Sequence, residues 1–174
     1  MNLIVAVDRQ WGIGYDGELL DMIPADMKYF KEKTKGKVVI MGRGTFESLP
    51  GRKPLRDRIN IVLSKDAKIN DTGIIVCNSL PILFSVLSEY NSDDIFIVGG
   101  ELIYKQLMQY CSKAYITKVD KVYIADKYFP NIDKGQDWEC IEEGMLQSYQ
   151  DVTFKFTVYQ NRNIKDWDSI RNDL

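Results

Sequence analysis

The sequence predicts a single α/β domain built on a largely parallel sheet with helices on both faces. The first observation behind this is a series of short apolar runs, rich in β-branched residues, at 3–7, 38–41, 59–63, 74–76, 95–98 and 114–119. They are continuous, not alternating, which is the pattern of strands covered on both faces. The second is helical punctuation between them. Pro24 opens a helix over 24–31 in its first turn, where the missing N–H costs least. Asn78-Ser79 precedes a helix over 80–90, and Gly100-Glu101 opens one over 102–109. Strand, helix, strand in this order gives parallel neighbours. The third is a change of pattern after Lys118. Residues 152–159 alternate strongly, which predicts an antiparallel strand near the sheet edge. Ile164, Trp167, Ile170 and Leu174 then recur at helical spacing. The domain is expected to occupy 1–161, with 162–174 as an extension that folds as a short docked helix; an oligomer contact is the alternative.

Composition narrows the chemistry. The chain has 174 residues, 45% hydrophobic and 28% charged, enough to bury one core without a disulfide or metal staple. A net charge of −2 argues against a broad nucleic-acid or anionic-membrane surface, while leaving room for a local basic pocket that takes a phosphorylated small molecule. There is no His, which excludes an imidazole base, a Ser-His-Asp triad and a His-ligated metal. Cys77, Cys111 and Cys140 are far apart and carry no metal or redox spacing. Free thiols suit a reducing, cytoplasmic compartment. The first apolar run ends at Asp8 and fits neither a leader nor a membrane span. Acid–base work is left to Asp, Glu, Lys, Tyr or Cys.

Gly12-Ile13-Gly14-Tyr15-Asp16-Gly17 has the letters of a dinucleotide fingerprint but the wrong context. Residues 8–11 separate it from the strand and no helix follows directly, so residues 12–22 read as a mobile Gly-rich loop. Two other turns fit anion binding better. One runs from the strand at 38–41 into Gly42, Arg43, Gly44 and Thr45; the other runs from the strand at 95–98 into Gly99-Gly100. Each passes from a strand through glycine into a helix N-terminus, where free N–H groups favour phosphate; the plainer alternative is that glycine simply permits a tight turn. Arg43, Thr45, Ser64 and Lys65 add donors and charge nearby. Asp26 shares a helix face with Phe30 and lies one turn from Ile23, so it either points into an apolar cleft with a raised pKa or complements the helix dipole. Arg58, after Arg52, Lys53 and Arg56, either clamps a substrate carboxylate or belongs to a solvated basic loop.

Taken in order, these segments resemble the dihydrofolate reductase family. The match is carried by residues 4–7, Gly12-Ile13-Gly14, Pro24-Ala25-Asp26 with Phe30, residues 39–43 with Thr45, Ile97-Val98-Gly99-Gly100 with Tyr104, residues 114–117 and Phe129-Pro130. The resemblance implies an eight-stranded sheet, parallel except for its last strand. It implies NADPH-dependent reduction of 7,8-dihydrofolate to tetrahydrofolate, serving one-carbon metabolism and thymidylate and purine synthesis. Asp26 would bond the pterin N3 and 2-amino groups, supported by Thr117. Ile4, Val5, Ala6, Phe30, Leu49, Val98 and Tyr104 would line the pterin and nicotinamide sites. Arg58 would bind the glutamate α-carboxylate, with Leu55 against the aminobenzoyl group. Gly42, Arg43, Gly44 and Thr45, together with Gly99, Gly100, Glu101, Leu102 and Ile103, would cradle the pyrophosphate. Leu63, Ser64 and Lys65 would meet the adenosine 2′-phosphate, and Ile13 and Gly14 would flank the cofactor. The Gly99–Gly100 bond would be cis. No metal is implied, and the protein is expected to be a monomer that takes antifolate inhibitors but not nucleic acid or membrane.

This chain departs from the family's pattern at three places. Leu19-Leu20-Asp21 stands where the family usually has Leu-Pro-Trp, so Asp21 replaces an indole beside the pterin and would raise the pKa of Asp26 if both faced the pocket. Gly44 replaces a frequent His, and Leu102 a frequent basic residue, which shifts the 2′-phosphate contact toward Lys65. The rival readings are a non-catalytic NADPH or folate binder, and the riboflavin-pathway reductase of the same fold.

Overall fold

The structure, a computed structural model, describes residues 1–65 and 72–171. In chain order the elements are β1 (Asn2–Val7), β2 (Gly12–Tyr15), β3 (Glu18–Leu19), α1 (Pro24–Thr34), β4 (Val38–Gly42), α2 (Arg43–Ser48), β5 (Ile59–Leu63) and β6 (Ile74–Cys77). There follow α3 (Leu80–Leu87), β7 (Ile95–Gly99), α4 (Glu101–Leu107), β8 (Lys113–Val119), β9 (Lys127–Tyr128), β10 (Trp138–Glu143), β11 (Gln147–Tyr149), β12 (Val152–Asn161) and α5 (Asp168–Arg171).

The main sheet runs β10-β12-β8-β1-β7-β4-β5-β6, with β11 paired beside β10 on β12. Every pairing from β8 to β6 is parallel, and β12 runs against β8. This is the sheet the apolar runs predict. Alternate strand residues feed two cores. Leu3, Val5, Ile40, Ile61, Ile97 and Ile116 pack with Leu83 and Phe84 of α3 and with Ile103 and Leu107 of α4. Val39, Met41 and Val62 pack with Phe46 of α2 on the opposite face, where Ile23 and Ala25, at the start of α1, meet Val119 and Phe154. Crossovers that step toward β6 lie on one face and those that step back lie on the other, as right-handed connections require.

One feature of the strands positions the site. Ala6, Gly42, Leu63 and Val98 are partly exposed at the carboxyl ends of β1, β4, β5 and β7, whose preceding residues are almost all buried. The register keeps these ends level, pairing Gly42 with Leu63 and Ala6 with Thr117. A cleft therefore opens along the carboxyl edge of a parallel sheet, the usual place for a ligand in such folds.

The expected loop over 12–22 is instead largely a hairpin. β2 and β3 join through Asp16 and Gly17, whose φ values of 50° and 83° make a two-residue turn, and β9 completes a small three-stranded sheet. Asp8 secures its base: Oδ1 accepts the N–H of Gln10 at 2.8 Å and of Gly12 at 2.7 Å, and Oδ2 that of Tyr123 at 2.9 Å. β10 and β11 were not anticipated either. β10 reads Trp-Glu-Cys-Ile-Glu-Glu and is mostly exposed, so it lacks the apolar run that marked the other strands. α3 ends at Leu87 and α4 at Leu107, shorter than their apolar patterns suggested. Among the described residues no helix is long and apolar enough to cross a membrane.

In the tail, Trp167 meets Phe84 edge-on at 4.8 Å, and Ile170 also packs against the core that α3 serves; Leu174 lies outside the described residues. A half-buried indole and its ring contact contribute on the order of 1–3 kcal/mol. Trp167→Ala is therefore expected to lower the unfolding free energy by about that amount in urea titration. Its sedimentation coefficient should stay unchanged.

Candidate active site

α1 carries the central carboxyl group. Pro24 occupies its first turn and Ile23, 3% exposed, is sunk against Val119, Val152 and Phe154. That anchor turns the third helical position toward β8. There Thr117, 1% exposed and paired on both sides to Ala6 and Phe156, donates its hydroxyl to Asp26 Oδ1 at 2.5 Å. Burial raises the Asp26 pKa, and the Thr117 bond partly opposes the rise by favouring the charged form. Asp26 is thus both a first-turn acid and a group held in the cleft.

Phe30 follows one turn later, with the Arg58 guanidinium 5.7 Å above its ring. Arg58 is fixed from three directions. Nε donates to Thr34 Oγ1 at 2.8 Å, Nη1 to the Arg56 carbonyl at 2.7 Å and Nη2 to the Lys31 carbonyl at 3.3 Å. Burial lowers its pKa and Asp57 opposes the fall, leaving a cation whose remaining N–H groups are pre-oriented. Asn60, 2% exposed, ties down the preceding loop, accepting the Leu55 N–H at 2.9 Å and donating to the Leu55 and Arg58 carbonyls. Leu49, Leu55 and Val98 line one apolar cluster with Met41 and Phe46.

The two glycine turns lie side by side. A Cβ on Gly42 would sit 2.9 Å from Ile103 Cγ1, and one on Gly100 3.1 Å from Thr45 Oγ1. α2 and α4 therefore begin against each other, and main chain lines the rim where side chains would block it. The Gly99–Gly100 bond is cis, and Gly99 takes a φ of 123°. Tyr104 spans the gap to β1, donating its buried hydroxyl to the Ile4 carbonyl at 2.7 Å. Burial holds that phenol well above its ordinary pKa, so it remains a donor.

Most of the expected residues converge. Val5 is an exception, because its side chain is buried in the core that α3 and α4 serve. Arg43 pairs with Glu47 one turn along at 2.7 Å, Glu101 with Lys105, and Leu102 is 72% exposed. The Ser64 N–H is committed to the Cys77 carbonyl at 2.9 Å, and Lys65 is exposed. Ile13 packs at the edge of the core and Gly14 pairs with Leu19 in the hairpin. The expected repulsion between Asp21 and Asp26 does not arise, since Asp21 turns outward to accept the Tyr123 hydroxyl on Oδ2 and the Met22 N–H on Oδ1 at 2.7 Å. Asp8, Thr34, Asn60 and Tyr123 were not singled out from the sequence. Each is a polar residue of common type whose role depends on partners from 24 to 115 positions away, or on a local turn without a distinctive pattern.

Comparison with known proteins accords with this geometry. The family model for dihydrofolate reductase matches residues 1–161. The chain is 38% identical to the dihydrofolate reductase of Buchnera aphidicola over 81% of its own length and 85% of that protein's. It is 33% identical to that of Bacillus subtilis, covering 94% and 95%. Among solved structures it superposes with a TM-score of 0.82 and 29% identity on a dihydrofolate reductase from Enterococcus faecalis complexed with NADP(H) and RAB-propyl, covering 92% of this chain and 95% of that one.

The contact between the turns can be tested by crowding it. Gly42 has ordinary extended dihedrals, so an alanine there is strained by Ile103 alone. Gly42→Ala should cost about 1–3 kcal/mol in thermal or urea denaturation. Adding Ile103→Ala, which removes the clash, should cost less than the sum of the two single changes.

Proposed function

The chain belongs to the dihydrofolate reductase family and reduces dihydrofolate with NADPH, and we propose that it does so in the cleft between the α1–β8 contact and the paired glycine turns. The observation that carries this reading is the Thr117 to Asp26 bond, a desolvated carboxyl group held beside the carboxyl end of β1. Asp26 accepts the paired N–H groups at N3 and the 2-amino position of the pterin, and Thr117 sets the plane of the carboxyl group. Phe30, Leu49, Ala6 and Val98 pack against the rings and keep bulk water away. Arg58, already braced by Thr34, takes the glutamate α-carboxylate, and Leu55 meets the aminobenzoyl ring.

The residues at the turns suit NADPH, which supplies a hydride when bound. The close approach of Gly42 to Ile103 and of Gly100 to Thr45 leaves main-chain N–H groups at the rim, as a pyrophosphate requires. Gly44, Thr45, Glu101 and Leu102 continue that rim. Ser64 and Lys65 receive the 2′-phosphate beside Leu63. Asp26 polarises the pterin through N3 and the 2-amino group, while the proton for N5 comes from water admitted at the cleft mouth. The outward turn of Asp21 argues for a catalyst over a disabled binder, because it places no second carboxylate against Asp26. Arg58 favours a folate tail over the ribosylated pyrimidine of the related reductase. The same cleft takes folate-site inhibitors, and the protein acts as a cytoplasmic monomer without nucleic-acid or membrane partners.

The experiment is NADPH oxidation followed by near-ultraviolet absorbance, with and without dihydrofolate. Asp26→Asn should reduce dihydrofolate turnover by about 100-fold or more, and loss of less than about threefold would remove Asp26 from its role. Stability should move the other way. Burial raises the folded-state pKa of Asp26 above its ordinary 3.8, so the native form binds the proton more readily and loses stability as pH climbs through that window. Asp26→Asn should therefore melt at a higher temperature at neutral pH, with the gain vanishing below about pH 4. At the other end of the cleft, Lys65→Ala should weaken NADPH binding about fivefold in fluorescence titration while leaving NADH unchanged.

A further inference from the structure

We propose that Tyr123 is a positioning residue for this reaction: by donating its hydroxyl to Asp21 it fixes the lead-in to α1, and through α1 the carboxyl group of Asp26. The inference rests on the reading of Asp26 given above. Asp21 stands two residues before the helix cap at Ile23 and five before Asp26. The cap makes no side-chain hydrogen bond, so the start of α1 is held by other means. One is the burial of Ile23, and the other is the Tyr123 hydroxyl on Asp21 Oδ2.

Tyr123 is itself well fixed. Its N–H is bound by the buried Asp8 carboxylate at 2.9 Å, its ring packs against the cluster of Ile23, Val119 and Phe154, and Lys121 Nζ lies 5.1 Å from the ring centre. Burial, with Asp21 next, keeps the phenol protonated and able to donate. Tyr123 also follows β8, six residues after Thr117. The two hydrogen bonds, Thr117 to Asp26 and Tyr123 to Asp21, thus close a ring through residues 21–26 and 117–123. Opening one bond loosens the geometry of the other. The arrangement depends on the carboxylate at position 21, because an indole there would have no oxygen to accept the hydroxyl.

The charged and titratable groups around the pair are Asp8, Asp151 and Lys121 near Tyr123; Tyr29 and Tyr104 sense Asp26. Loosening the ring admits water to Asp26, and since burial is the larger cause of its raised pKa, the titration should move down toward the ordinary value.

The test compares Tyr123→Phe, which keeps the packed ring, with Asp21→Asn, Asp21→Ala and the double variant Asp21→Ala/Tyr123→Phe. The readouts are the Asp26 carboxyl titration in the free protein by carbon-13 resonance, the KM for dihydrofolate and the affinity for NADPH. Tyr123→Phe should lower the Asp26 midpoint and raise KM for dihydrofolate about fivefold, with NADPH affinity unchanged. Asp21→Asn keeps an acceptor oxygen and should stay within about twofold of the native KM. The double variant should be no worse than Asp21→Ala alone. An unchanged Asp26 midpoint and KM in Tyr123→Phe, or additive losses in the double variant, would overturn the proposal. A native protein without turnover would overturn the catalytic reading alone, since the titration reads the contact without substrate.

Discussion

A carboxyl group taken out of water is the constraint around which this molecule is arranged. Asp26 lies where the apolar start of α1 meets β8, and a charge there is disfavoured unless something compensates it. Thr117 provides one hydrogen bond, which leaves acceptor capacity for a ligand with paired donors. Such a group holds its place only if both elements carrying it are rigid. β8 is rigid because it is hydrogen-bonded on both sides, to β1 and to β12. α1 is rigid because Ile23 is buried at one end, Tyr29 stacks on Phe156 at 4.2 Å in the middle, and Thr34 bonds Phe30 and Arg58 at the other end.

The second half of the cleft is governed by closeness of approach. Level strand ends bring the β4–α2 and β7–α4 turns into contact, and a Cβ at Gly42 or Gly100 would crowd Ile103 or Thr45. At the end of the first turn of α4, Tyr104 packs against Gly99 and donates to the Ile4 carbonyl of β1, the strand beside β7.

How much of this the sequence displays depends on the range of the interaction. Buried parallel strands write themselves as apolar runs, and Pro24, Gly42 and Gly100 mark boundaries because their backbone chemistry is local. The hairpin was concealed although Asp16-Gly17 is a strong two-residue turn signal, because its strands are short and their partner β9 comes more than 100 residues later. β10 was concealed by exposure, since an outer strand facing water needs no apolar run. Asp26 could be nominated but not oriented. Deciding between helix dipole and cleft required Thr117, 91 positions away. Asp21 shows the same limit, because its outward turn depends on a tyrosine 102 positions along.

With no histidine in the sequence, acid–base work rests on other groups, and the surroundings of Asp26 set its ionisation. Burial lifts Tyr29 to about 12, Cys77 to about 11 and Cys111 to about 12, so that these three stay protonated. Cationic and hydroxyl partners hold Asp120 and Asp133 below their ordinary values, so these stay charged. Among the described carboxyl groups whose pKa is displaced, Asp26 alone is carried upward, and it alone lies between the apolar lead-in of α1 and the end of a parallel sheet. The raised pKa follows from the burial that places Asp26 in the cleft, so ionisation and geometry are two consequences of one placement.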